Sequence, residues 1–222
     1  MARSQTAEAL TMPEGYRLER GLMWPIEDRA CAAVVFDTVP DMDHALEHCR
    51  KFDLAVQAGG NMGVWALALA PKFGRVVTFE PDPRNFRALV HNTASAENIL
   101  ALPCALGADG GEWCGLELSA REANNVGAYQ VTKGATAPIV ALDSFNLPAL
   151  DLLYLDIEGF EMPAILGAME TIQKFRPVIA IEDKGLSERY GYLKGSAEQA
   201  LAPLGYEVVA RPHRDVVMVA QR

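Results

Sequence analysis

No run in the 222-residue sequence is long and apolar enough to span a bilayer, because glycine, proline or a charge interrupts every apolar stretch. The N-terminal segment "MARSQTAEALTMPEGYRLER" also lacks the apolar centre of a signal peptide. Cysteine is scarce: Cys31, Cys49, Cys104 and Cys114 include no Cys-x-x-Cys pair, so neither zinc nor a redox dithiol is indicated. Dispersed cysteines without a signal read as free thiols, and the expected location is cytoplasmic. Basic residues are in deficit as well, since 20 Lys and Arg face 29 Asp and Glu, for a formal charge of -9. A general nucleic-acid binder needs a basic surface to displace counterions from phosphates, so neither a nucleic-acid nor a membrane partner is expected.

What remains is a chain that is 50% hydrophobic, enough for a sizeable core. From residue 53 onward, short β-branched runs alternate with helix-like segments, the pattern of an α/β fold with a parallel sheet and crossover helices. The runs are "LAVQA", "RVVTFE", "ILALPCAL", "LDLLYLDI" and "PVIAIE". Asp82 and Pro83 supply an N-cap and a first-turn residue for a helix through "RNFRALVHNTA". Residues 107–141 are rich in glycine and read as hairpins or long loops, and "YEVVARPHRDVVMVAQ" reads as a terminal hairpin. Residues 1–52 are less regular and predict an N-terminal extension packed on a catalytic domain of residues 53–222. Within the extension, residues 41–52 predict an amphipathic helix with Met42, Ala45, Leu46 and Cys49 on one face.

The stretch "AVQAGGNMG" joins a buried strand to a helix N-terminus, where unpaired N–H groups and a partial positive charge favour a ligand. Gly59, Gly60 and Gly63 allow close approach and positive φ, while Asn61 can bond its own backbone or the ligand. Glu80 ends the second run about 20 residues further on, where an acid accepts hydrogen bonds from ribose hydroxyls. NAD and S-adenosylmethionine both use that geometry. The loop does not fit the G-x-G-x-x-G dinucleotide fingerprint, and a terminal hairpin suits a methyltransferase sheet. These features favour S-adenosyl-L-methionine over an NAD(P)-dependent oxidoreductase.

Several segments together resemble the FkbM family of S-adenosylmethionine-dependent methyltransferases. "VQAGGNMG" is similar to the family's V-D-I-G-A-N-x-G, and "VVTFEPDPRNFRAL" to F-E-P-x-P-x-N-x-x-x-L. "LLYLDIEGFEMPAILGA" is similar to K-I-D-x-E-G-x-E-x-x-x-L-x-G-A, and "FRPVIAIE" to P-x-I-x-x-E. The resemblance implies a Rossmann-like class I methyltransferase fold: a mostly parallel seven-stranded sheet, a C-terminal antiparallel hairpin and helices on both faces. It also implies methylation of a hydroxyl on a sugar or other small-molecule or glycan acceptor. Expected cofactor contacts are Gly59, Asn61, Gly63 and Glu80, with Gln57, Gly60, Pro81, Ala105 and Asp156 completing the set. Gln57 stands where the family usually has Asp. It keeps an acceptor oxygen but loses the charge, and charged hydrogen bonds are roughly twice as strong as neutral ones. Inactivity does not follow, but the departure is the best support for a rival reading, a non-catalytic binding protein that kept the fold.

Methyl transfer to a hydroxyl needs in-line alignment and removal of a proton. Asp156 and Glu158 follow an apolar strand and flank Gly159, and Glu182 ends the fifth run with Asp183 beside it. Two mechanisms fit. Either Asp156 or Glu158 is a general base, or Asp156, Glu182 and Asp183 hold Mg²⁺ or a similar hard cation that acidifies the hydroxyl, as resembles catechol O-methyltransferase. Glu182 paired with Lys184 is the structural alternative, and Glu161 is expected only to start a helix. Cys104 reads as a core thiol, and His44 and His48 as a solvated face. For the acceptor, Asn124, Asn125 and Tyr129 form a polar and aromatic set suited to a polyol, although turn residues between two strands fit the same letters.

Overall fold

The computed structural model describes residues 12–108, 110–119 and 122–221. Residues 1–11, part of the stretch without a signal-peptide centre, and Arg121 of the acceptor loop lie outside the described residues.

Five of the predicted runs form the parallel part of one sheet. They are β3 (Leu54–Ala58), β4 (Arg75–Phe79), β5 (Ile99–Leu102), β10 (Leu152–Leu155) and β11 (Val178–Glu182). The terminal pair β12 (Tyr206–Ala210) and β13 (Asp215–Ala220) is antiparallel, and β13 also runs antiparallel to β11. The order across this seven-stranded sheet is β12-β13-β11-β10-β3-β4-β5. From β3 the chain builds outward through β4 and β5, then returns to lay β10 on the other side of β3. That reversal opens a crevice beyond the carboxyl ends of β3 and β10, the usual ligand position in open α/β sheets.

Every residue of β3 is buried, as expected of a strand covered on both faces. One face, with Val56, Leu153 and Ile179, packs against Ile165 of α5 (Glu161–Leu166), Ile172 of α6 (Met169–Phe175) and Leu201 of α7 (Ser196–Leu201). The opposite face, with Ala55, Tyr154 and Ala180, packs against Trp65 and Leu69 of α3 (Val64–Leu69) and Ala88 of α4 (Pro83–Thr93). Helix α4 begins as its letters predict. The Asp82 side chain accepts from the N–H groups of Arg84 and Asn85, with Pro83 in the first turn.

The N-terminal part contains more regular structure than its letters suggest. A hairpin joins β1 (Tyr16–Glu19) to β2 (Leu22–Pro25) through Arg20 and Gly21, both at positive φ (48° and 85°). That backbone matches the twist of paired strands, but arginine in place of asparagine hides the usual signal. Helix α1 (Cys31–Thr38) starts on Asp28, which is fully buried and accepts from the N–H groups of Cys31 and Ala32 and from Trp24 Nε1. The helix predicted over residues 41–52 is far shorter. A 3-10 turn (Val39–Met42) leads into α2 (Asp43–Leu46), after which Asp151 accepts from the N–H groups of Asp53 and Leu54 and draws the chain into β3. Met42, Ala45 and Leu46 are buried as the pattern predicts, and Cys49 is half-buried.

Residues 105–140 fold into a second, four-stranded sheet. It contains β6 (Ala105–Leu106), β7 (Trp113–Leu118), β8 (Tyr129–Lys133) and β9 (Ala137–Val140), in the order β6-β9-β7-β8. Strands β7 and β8 form the antiparallel hairpin that the glycine-rich stretch predicts. This sheet walls one side of the crevice.

Candidate functional site

The crevice, open to solvent, spans about 500 Å³ of non-atom space. Its floor is the glycine loop after β3. Gly59 has φ 86°, and a Cβ there would lie 1.9 Å from the carbonyl oxygen of Asp156, so only glycine fits between the two strand ends. The Gly59 and Gly60 N–H groups donate to the Phe79 carbonyl (3.1 and 2.8 Å), which ties the loop to the end of β4.

Glu80 holds the loop from the side. Its carboxylate accepts from the N–H of Asn61 (2.6 Å) and of Asp82 (2.8 Å), and it is almost wholly buried. Burial raises its pKa to about 8, against the lowering by those two amides and with a further rise from Asp82. Asn61 takes the first of its two options. Its Oδ1 accepts from Met62 N–H (2.9 Å), while its Nδ2 faces the Cys31 sulfur (3.2 Å).

Gln57 lies beneath the loop, wholly buried. Its Nε2 donates to the carbonyls of Gly59 (2.8 Å) and Ala58 (3.2 Å), and its Oε1 accepts from the Thr78 hydroxyl (2.5 Å). Both ends of the amide are therefore engaged with the protein. Gln57 thus braces the loop from below and is not among the residues that line the crevice. An aspartate could not make the two donations, which is a physical reason for an amide here.

Of the remaining expected cofactor residues, Gly59, Glu80, Pro81, Ala105 and Asp156 line the crevice. Gly60 and Gly63 shape the loop behind it. A Cβ on Gly60 would meet Thr78 Oγ1 at 2.8 Å, and one on Gly63 would meet Leu89 Cδ1 at 2.9 Å.

Three acids gather where β10 and β11 end. One carboxylate oxygen from each of Asp156, Glu158 and Glu182 lies within 4.8 Å of the others. Asp183, expected beside them, turns away: its carboxylate accepts from the N–H groups of Gly185 and Gly195 and shapes the following loop. Glu158 takes its place in the cluster. The cation role is filled by a side chain, since Lys184 Nζ lies 2.6 Å from Glu182 and 3.5 Å from Glu158. With an ammonium seated there, the arrangement does not fit a divalent metal.

Burial, and then the neighbouring Asp156, raise the Glu182 pKa, with Lys184 opposing. Burial also raises Glu158, with Lys184 opposing. Burial alone would lower Lys184, but the surrounding carboxylates outweigh it and hold the amine charged. Glu161 begins α5 as expected and folds back to accept from the N–H groups of Ile157 and Gly159, fixing the turn that presents Asp156 and Glu158.

The expected acceptor residues divide. Asn124 offers its carbonyl to Arg29 N–H (2.8 Å), and Asn125 bonds Gly127 N–H and Glu122 within the turn. Tyr129 alone of the three lines the crevice, and its hydroxyl feels Asp82, Arg84 and Glu80, which puts it near the Glu80 end. Leu116, Val131 and Phe160 add an apolar wall that has no local signature in the letters. Asn85 also lines the crevice and is absent from the expected set, although it occupies the Asn of the F-E-P-x-P-x-N pattern. Cys104 is buried at the crevice edge, and His44 and His48 are exposed.

The fold recurs among solved methyltransferase-related structures. The Streptococcus mutans protein SMU.1697c in complex with SAH aligns with a TM-score of 0.51 at 9% identity, over 82% of this chain and 96% of that one. The N-methyltransferase NodS of Bradyrhizobium japonicum WM9 aligns at 0.50 and 10% identity, over 84% and 96%. The methyltransferase FkbM of Methylobacillus flagellatus KT aligns at 0.47 and 16% identity over 86% of this chain, which spans 54% of that one. No curated protein matches the sequence. A model of the methyltransferase FkbM domain matches residues 57–208, and the chain belongs to that family. Among the described residues, no helix is long and apolar enough to cross a membrane.

Proposed function

We propose that this protein is an S-adenosylmethionine-dependent methyltransferase that methylates a hydroxyl of a small-molecule or glycan acceptor. The observation that carries the reading is one crevice lined by the buried acid Glu80, by Gly59 and by Asp156 and Glu158 of the carboxylate cluster. Family membership supports the methyltransferase part, and the SAH complex of the fold neighbour supports the cofactor.

In this reading Glu80 accepts from a ribose hydroxyl, Pro81 and Ala105 flank the base, and the glycine loop lets the amino-acid arm pass toward Asp156. When bound, the cofactor supplies an electrophilic methyl group on a sulfonium. Asp156 is the proton acceptor. Glu158 and Glu182 are both engaged by Lys184, whereas the Asp156 carboxylate makes no hydrogen bond among the described residues. Lys184 offsets the negative charge that gathers as the hydroxyl loses its proton.

Calorimetric titration with S-adenosylhomocysteine tests the cofactor, and transfer of a labelled methyl to candidate polyols tests the reaction. Asp156→Asn should lower transfer by at least about 100-fold, the scale of general-base catalysis, and weaken S-adenosylhomocysteine binding by far less. Absence of binding heat with the wild-type protein would overturn the reading.

A further inference from the structure

Asn85 is 3% exposed, lines the crevice beside Glu80 and Pro81, and its side-chain oxygen is buried without a hydrogen-bond partner. Its orientation is set from the other side. Nδ2 donates to the Val126 carbonyl at 2.7 Å, so exchanging oxygen and nitrogen would oppose two acceptors at that distance. The backbone is held too, because the Asn85 N–H donates to Asp82 Oδ1 (2.9 Å), and the Asp82 N–H donates to Glu80 (2.8 Å). Val126 is itself anchored, its N–H donating to the buried Asp28 (3.4 Å).

A buried acceptor left unpaired is unfavourable, and native structures rarely keep one without a use. Here a rigid frame holds such an acceptor at the end of the crevice where Glu80 lies. Glu80 already receives two backbone amides. A ribose presents two vicinal hydroxyl donors, more than one engaged carboxylate serves easily.

We propose that Asn85 is a cofactor-specificity residue whose Oδ1 accepts a hydrogen bond from a ribose hydroxyl, sharing the vicinal diol with Glu80. The proposal rests on the cofactor reading above. Calorimetry of the full chain with S-adenosylhomocysteine, its 2′-deoxy and 3′-deoxy analogues and S-inosylhomocysteine tests it.

The wild-type protein should bind one deoxy analogue about tenfold more weakly than S-adenosylhomocysteine, the upper range for one hydrogen bond. In Asn85→Ala that discrimination should collapse, with S-adenosylhomocysteine weakened to the level of the analogue. Asn85→Asp loses the donation to Val126 but keeps an acceptor oxygen, so it should retain the discrimination. Equal weakening of all four ligands in Asn85→Ala would make the residue merely structural and overturn the proposal. Collapse confined to the inosine analogue would assign Asn85 to the base and overturn it as well. Failure of the wild-type protein to bind S-adenosylhomocysteine would instead overturn the cofactor reading.

Discussion

Gln57→Glu is the most informative single change in the loop, because the two side chains have the same shape and differ in one donor. The native Nε2 donates to two carbonyl oxygens from a wholly buried position. A carboxylate oxygen in its place would face the Gly59 carbonyl at 2.8 Å, so the introduced carboxyl must keep its proton to donate there. Its folded pKa is then raised above the unfolded value of about 4.3. Stability from such a group is present below the unfolded pKa and is lost as pH rises toward the folded one. The loss is about 1.4 kcal/mol per pH unit, so the variant should be close to wild type near pH 5 and roughly 3 kcal/mol less stable near pH 7. Urea unfolding of both proteins across that range measures the difference. A gap that does not change with pH would refute the bracing role of Gln57, as would a variant as stable as wild type at neutral pH.

Glu80→Gln addresses the opposite case, a native acid with a raised pKa. Between about 4.5 and 8 the folded protein holds the Glu80 proton more tightly than the unfolded chain, so its contribution falls as pH rises. The glutamine variant lacks this loss, and its stability difference from wild type should shrink steadily from pH 5 to 8; parallel curves in urea unfolding would contradict it. Lys184→Met leaves three carboxylates without their ammonium. It should destabilise the fold by about 3 kcal/mol at neutral pH, the lower range for a broken buried pair, and by less at pH 5, where the acids are more readily protonated. Chelator treatment of the wild-type protein should leave labelled-methyl transfer unchanged, because Lys184 holds the cation position; loss of activity restored by Mg²⁺ would return the metal mechanism.

Much of the site was legible because its signals are local. The all-apolar runs predict buried parallel strands, Asp82 and Pro83 predict the start of α4, and glycines before a helix predict a loop that a ligand can approach. The pairing of Glu182 with Lys184, the structural alternative for that acid, joins residues two apart in the chain and is present. The N-terminal hairpin was hidden because Arg20 occupies a positive-φ position usually given to asparagine or glycine. The short α2 was misjudged because Asp151, far along the chain, draws residues 53 and 54 into the sheet. Asn85 stood inside a recognised pattern, but nothing in its spacing distinguishes a helix residue facing solvent from one facing the crevice.

The sequence by itself determined the strand and helix alternation, the glycine loop after β3 and the acids at the carboxyl ends of two strands. These depend on side-chain periodicity and backbone preference over a few residues. Only the tertiary structure decided what each polar group does. Gln57 meets Thr78, Asn85 meets Val126, Glu158 meets Lys184, and Asp183 turns to Gly195 instead of the cluster. Those pairings are set by strand order and by loops that close over long stretches of chain. A buried polar atom takes whichever partner the packing leaves within about 3 Å.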